Sequence, residues 1–207
     1  MPNNTSHPSP LLSSLRIYAD ANVIRLFFLG FSAGLPILLV FSSLSFWLRE
    51  AGIDRSTIGY ISWVALAYAF KWVWSPAIDH ISIPFLSKRF GRRKAWLLLA
   101  QTSLVIGIAA MALNDPQQEL FWLPLCAVIV AFLSATQDIV IDAFRIESGT
   151  EKQQAAMAAT YQVGYRLAMI VASAGVLLLA ATFETQTGYD AVAWQKAYLV
   201  MALLMST

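Results

Sequence analysis

Two carboxylates stand four residues apart in an otherwise apolar run, Gln137-Asp138-Ile139-Val140-Ile141-Asp142-Ala143-Phe144-Arg145, directly after the hydrophobic stretch from Leu120 to Thr136. A charged side chain inside a membrane-spanning helix costs about 3 kcal/mol on insertion scales and rarely faces lipid; it marks an ion or substrate path, or pairs with another charge. On a helical wheel of about 100° per residue with Asp138 at zero, Asp142 falls near 40°, Arg145 near −20° and Ser134 near −40°. One polar stripe on an apolar helix argues for a water-filled cavity or a charged neighbour.

Depth separates the two acids. If the helix ends near Ile146, a rise of about 1.5 Å per residue puts Asp142 about 6 Å and Asp138 about 12 Å from that end. A carboxylate in a low-dielectric site with no close cation favours its protonated form, and such a group can exchange a proton near neutral pH. Asp138 is therefore expected as a proton-coupling site. The competing reading is a permanent ion pair with Lys71 or Arg166. A pair that breaks on protonation unites the two readings, so Lys71 is assigned to the coupling site with Asp138. Arg166 lies about 20 Å into its own apolar stretch, too deep to snorkel to the near surface.

The elements that must position these charges are membrane helices. Hydrophobic residues make up 58% of the 207-residue chain and charged residues 13%, against about 25% charged in an ordinary soluble domain. The mean hydropathy is +0.61. A spanning helix needs roughly 20 mostly apolar residues. Six stretches answer that description, at about 22–48, 57–78, 95–113, 120–146, 153–182 and 194–207. The fold expected is all-α and integral to the membrane: a polar, disordered tail over 1–16, then one bundle over 17–207. The sixth stretch has only 14 residues before Thr207, so the last helix is expected to be truncated and the chain to be part of a longer one. No signal peptide is visible. Cys126 is the only cysteine, which leaves no intramolecular disulfide or cysteine metal cluster.

The basic residues set topology. Lys88, Arg89, Arg92, Arg93 and Lys94 crowd the second connection, whereas the third has no lysine or arginine but holds Asp115 and Glu119. The positive-inside rule puts the second and fourth connections and the N-terminus in the cytoplasm. Trp47, Trp72, Trp74, Trp96, Trp122 and Trp194 fall near expected helix ends, as in an interfacial aromatic belt. A net charge of +2 gives no reason to expect a nucleic-acid partner. Gly30 and Gly34, followed by Pro36, form a small-xxx-small pair suited to close helix packing.

Asp79, then Phe90-Gly91-Arg92-Arg93-Lys94, resembles the helix 2–3 signature of the major facilitator superfamily, although eleven residues intervene here where family members have only a few. Further motifs are Gly30-Phe31-Ser32-Ala33-Gly34-Leu35-Pro36, Phe70-Lys71-Trp72-Val73-Trp74-Ser75-Pro76, Gln137-Asp138-Ile139-Val140-Ile141-Asp142-Ala143 and Gly164-Tyr165-Arg166-Leu167. Together they resemble the AmpG-type muropeptide permeases, from about Ile17 to the last residue. Acetyl-coenzyme A transporters form a sister group with a similar fourth-helix motif.

The resemblance implies the N-terminal six-helix half of a major facilitator fold. It implies import of N-acetylglucosaminyl-1,6-anhydro-N-acetylmuramyl peptides from periplasm to cytoplasm across the bacterial inner membrane by proton symport. That import serves peptidoglycan recycling and, in some bacteria, β-lactamase induction. No cofactor or metal is implied; the partners are muropeptide, protons, the lipid bilayer and the missing C-terminal half. By the same resemblance Asp79, Gly91, Arg92, Arg93, Asp142 and Arg145 would form a cytoplasmic ion-pair gate. Arg166 would hold substrate carboxylates in two-pronged geometry, and Gln162, Tyr165 and Gln137 would meet sugar hydroxyls. The alternatives are an acetyl-coenzyme A transporter or other permease and, more distantly, a polytopic membrane enzyme. Against the enzyme, no Gly-x-Ser-x-Gly or His-Glu-x-x-His arrangement occurs, and the two histidines are His7 and His80.

Overall fold

The computed structural model describes residues 16–118 and 120–206, with backbone only at 60–62. The tail expected to be disordered therefore lies, up to residue 15, outside the described residues. The described residues form helices and no strand. Four helices are long and apolar enough to cross a membrane: α1 (Ala21–Glu50), α4 (Arg92–Ala112), α5 (Trp122–Ser148) and α6 (Glu151–Phe183). Between α1 and α4 lie a broken helical segment, α2 (residues 55–80), and a one-turn helix, α3 (Leu86–Phe90). A shorter apolar helix, α7 (Ala191–Leu204), follows α6.

Local chemistry sets the ends. Asp20 caps α1 by accepting from the Asn22 N–H at 2.8 Å. Thr150 and Gln153 form a capping box at the start of α6. Asp190 caps α7 by accepting from the N–H groups of Val192 and Ala193. The Thr185 N–H, with those of α7, holds the Asp190 carboxyl below the usual carboxylate range.

The second stretch, expected as one helix, is a chain of short pieces. Pro76 has no N–H and its ring clashes with the carbonyl four residues back. The α-helical ladder accordingly fails over Lys71–Val73, which is a 3₁₀ turn, and resumes at Ser75 with the proline in its first turn. Another 3₁₀ turn interrupts Ser62–Val64. Trp74 ties the broken segment to α5: its indole N–H donates to Thr136 Oγ1 at 3.1 Å, and its ring lies 4.6 Å from Phe132.

Five helices close a ring, in which α1 packs on α6, α6 on α7, α7 on α4, α4 on α5 and α5 back on α1, while α2 leans on α5 from outside. The α1–α6 crossing is the tightest. A Cβ at Gly30 would strike the Tyr161 carbonyl, one at Gly34 the Tyr165 carbonyl, and one at Gly164 the Phe27 carbonyl. Further along, α1 has a π-turn at Leu39–Ser43 just after Pro36, and α6 has one at Val171–Gly175. The two π-turns meet where the Ser43 hydroxyl donates to the Ala172 carbonyl at 2.5 Å.

The main core gathers Leu39, Leu44, Leu104, Ile108, Val130 and Met201 near the end remote from the basic connection. Trp47 and Trp194 are part of it. They are buried and stacked at 5.9 Å, so neither belongs to an interfacial belt. The Trp47 indole donates to Tyr189 Oη, which donates to Asp115. Burial pushes the Tyr189 phenol up, so it remains the donor. Trp72 and Trp122 are exposed.

Candidate functional site

The charged side chains named from sequence fall into separate groups. The deepest lies where α5 meets the break in α2. Lys71 sits on the 3₁₀ turn that Pro76 enforces, and its Nζ lies 3.8 Å from Asp138 Oδ2. The Asp138 side chain is only 15% exposed, that of Lys71 39%. The structure thus brings together the two residues assigned to proton coupling. The pair is long for an ion pair, and Asp138 Oδ1 is buried with no hydrogen-bond partner among the described residues. The same holds for Ser134 Oγ, one helical turn back, and for Tyr68 Oη on α2. The phenols of Tyr68, Tyr161 and Tyr165 all lie within the electrostatic reach of Asp138. Tyr68 and Ser134 are neighbours, but no aligned hydrogen bond joins them. A carboxylate with one oxygen on a loosely held amine and one unclaimed can change its proton without dismantling a network.

A second group closes the basic end. Arg93, in the first turn of α4, reaches Asp79 Oδ1 through Nη1 at 2.6 Å and Glu147 Oε1 through Nε at 2.9 Å and Nη2 at 2.8 Å. One guanidinium therefore clamps the end of α2 to the end of α5. Gly91, at φ 83°, supplies the turn that delivers it, a backbone state favouring glycine. Arg92 is exposed and outside this clamp. Asp142 and Arg145 pair with each other at 3.6 Å and do not reach Asp79. Glu147 was missed because α5 was expected to end at Ile146; it runs to Ser148. The signal available was the surplus of cations in the second connection, which called for another carboxylate.

Arg93→Lys is expected to loosen this end. An ammonium on a flexible stem cannot hold both carboxylates in the fork geometry of a guanidinium. Asp79 and Glu147 are 41% and 51% exposed, so the loss is roughly 1–2 kcal/mol. The readout is labelling of Ser148→Cys, in a Cys126→Ser background, by a membrane-impermeant thiol reagent. Labelling should accelerate about tenfold; an unchanged rate would mean that Arg93 does not close this end.

A third group lies on α6. Gln162, Arg166, Met169 and Ser173 fall on the side opposite Gly164, which packs on α1. Gln162 and Arg166 are exposed. Among the described residues, the guanidinium of Arg166 has one polar contact, to Met169 Sδ at 3.9 Å. Tyr165, half-buried, lies tilted against Tyr161 with ring centroids 6.0 Å apart on the other flank, toward Asp138. Gln137 goes elsewhere. Its amide is wholly buried and donates to Ser32 Oγ at 2.8 Å and Gln101 Oε1 at 2.6 Å, and Gln101 in turn donates to the Met205 carbonyl. This network joins α1, α4, α5 and the end of α7. A groove of about 650 Å³ runs between α2 and α5 past Trp63, Leu66, Phe121 and Leu125, and no charged residue lines it among the described residues.

The family model described as Acetyl-coenzyme A transporter 1 matches residues 22–186. The chain belongs to that family. Its relatives are transporters of the major facilitator type. The anhydromuropeptide permease of Escherichia coli K12 is 39% identical over 193 residues, covering 93% of this chain and 38% of that protein. Transporter AmpG 4 of Rickettsia felis is 37% identical over 191 residues, covering 92% of this chain and 44% of that protein. Transporter AmpG 3 of Rickettsia typhi is 37% identical over 174 residues, covering 84% and 41%. The chain spans less than half the length of these curated relatives. The likeness to AmpG-type permeases read from the motifs runs along nearly the whole chain. The two groups treated as sisters, AmpG-type and acetyl-coenzyme A transporters, meet in this match. With four apolar helices of spanning length, the chain is a multi-pass membrane protein.

Proposed function

We propose that this chain forms the N-terminal half of a proton-coupled importer of anhydro-muropeptides, a transporter and not an enzyme. It lies in the bacterial inner membrane with its N-terminus and the Arg93 clamp in the cytoplasm. The observation that carries the reading is the Asp138–Lys71 pair, held inside the membrane at the break in α2 with one carboxylate oxygen unclaimed. Protonating Asp138 from the periplasm would release Lys71. Deprotonation toward the cytoplasm would restore the pair, so the proton gradient biases which way the cavity opens. The names of the relatives supply the cargo. The imported peptides would serve peptidoglycan recycling and, where the circuit exists, β-lactamase induction.

Arg166 and Gln162 would face substrate from α6. A guanidinium 20 Å or so from the membrane surface cannot rest against lipid, and an exposed, two-pronged cation suits the carboxylates of a peptide stem. Arg166→Lys is expected to weaken muropeptide binding by about tenfold although the charge is kept, because one of two charge-assisted hydrogen bonds is lost. Equilibrium binding to the full-length protein checks this; an unchanged Kd removes Arg166 from the substrate site. Gln137, committed to Ser32 and Gln101, has no part in this contact.

The description of the matching family model favours a second reading, acetyl-coenzyme A as cargo. The deciding experiment is uptake of labelled anhydro-muropeptide by vesicles holding the full-length protein, with acetyl-coenzyme A as competitor. Saturable muropeptide uptake that acetyl-coenzyme A does not inhibit is the expected result. Saturable acetyl-coenzyme A uptake without muropeptide uptake would replace the first reading by the second.

A further inference from the structure

The segment joining α2 to α4 displays an aromatic ring at a strained position. Phe85 has φ 71° and ψ −57°. The Leu86 N–H donates to the Pro84 carbonyl at 2.9 Å, closing a γ-turn of the rare positive-φ kind. A residue with a Cβ is strained there. Packing within the bundle does not offset that strain, because the Phe85 ring is 76% exposed. Directly after it, α3 presents Lys88, Arg89 and Phe90, all exposed. The Arg89 guanidinium lies over the Phe90 ring at 5.7 Å. The segment is anchored to α4 by the Trp96 indole, which donates to the Ile81 carbonyl at 2.9 Å.

The charges around it are unbalanced. Of the carboxylates at this end, Asp79 and Glu147 both belong to Arg93, Asp142 pairs with Arg145, and Asp20 and Glu151 stand at the starts of α1 and α6. Among the described residues no carboxylate lies within ion-pair distance of Lys88, Arg89, Arg92 or Lys94. Beside them a cavity of about 490 Å³ is lined by Phe90, Arg92, Lys94 and Phe144, with the paired Arg93 and Glu147 in its wall.

We propose that Phe85 and α3 form a docking surface for anionic phospholipid. Phe85 and Phe90 enter the boundary between headgroups and acyl chains, and Lys88, Arg89, Arg92 and Lys94 hold the headgroup phosphates. Amphipathic segments that carry cations beside aromatic rings bind in this way, and the attraction decays within a Debye length. The occupant is a lipid and not an acidic protein segment, because the rings and cations ring the end of helices that themselves cross the bilayer. A free phosphate would leave the two exposed rings unexplained.

The test uses the full-length protein in phosphatidylcholine vesicles containing trace spin-labelled phosphatidylglycerol or spin-labelled phosphatidylcholine. The readout is the fraction of each lipid immobilised at the protein. Preference for the anionic lipid is expected, falling as salt rises. The double variant Lys88→Gln, Arg89→Gln should lower that preference by about two- to fivefold per charge removed. Phe85→Gly relieves the strained turn, so the protein should be at least as thermostable in detergent, yet less selective for the anionic lipid. Equal immobilisation of the two lipids by the parent protein would overturn the proposal, as would selectivity unchanged in both variants. Displacement of the labelled lipid by millimolar inorganic phosphate or by an acidic peptide would overturn it too.

Discussion

Asp138→Asn is expected to abolish proton-driven accumulation of substrate while leaving substrate exchange across the membrane intact. Asparagine keeps the shape of the side chain but can neither bind a proton nor hold Lys71 by charge. For one proton per substrate, each pH unit of gradient supports about tenfold accumulation; the variant should show none of it. Exchange needs only the cavity to open alternately with substrate aboard, which the Arg93 clamp and the α1–α6 crossing still permit. Lys71→Gln should fail in the same sense but less completely, since the amine is more exposed than the carboxylate. Counterflow and gradient-driven uptake, measured on the same vesicles, separate the two activities. Accumulation retained by Asp138→Asn would remove the carboxylate from coupling.

Gly164→Val is expected to cost the largest share of stability. A Cβ at this position would strike the Phe27 carbonyl, and the main chain of α1 cannot step aside as a flexible side chain could. On the facing helix, Gly30 and Gly34 bring α1 equally close to the carbonyls of Tyr161 and Tyr165. Separating the helices would also break the Ser43–Ala172 bond between the two π-turns. The cost should be about 3 kcal/mol or more, at the upper end for overpacking. Gly59→Ala is the control: nothing lies within 4 Å of its added Cβ, so the effect should be small. Thermal unfolding of the full-length protein in detergent measures both. A Gly164→Val protein with parental thermostability would mean that the α1–α6 crossing tolerates separation.

What the sequence made legible was depth, and what it hid was azimuth. The depth of Asp138 in its helix was legible, with Lys71 or Arg166 left open as its partner, and the Gly30–Gly34 packing followed from spacing alone. Trp47 and Trp194 were placed at helix ends, yet hydropathy could not tell that both turn inward and stack. Gln137 has the right chemistry for a sugar hydroxyl. Its wheel position, about 100° from Asp138, already took it off the polar stripe. The break in α2 was available from Pro76, five residues after Lys71, and it fixes where the amine sits. Glu147 escaped because the expected helix end fell one residue short, and the carboxylates expected at Arg93 were Asp79, which it holds, and Asp142, which pairs with Arg145 instead.

The central claim is that muropeptide and proton cross together through Asp138. Full-length protein in lightly buffered vesicles, with a pH-sensitive dye inside, tests it directly. Adding anhydro-muropeptide outside, with no imposed gradient, should acidify the lumen of vesicles holding the parent protein and leave the Asp138→Asn vesicles unchanged. Saturable muropeptide entry without lumen acidification, or acidification that persists in Asp138→Asn, would contradict the account.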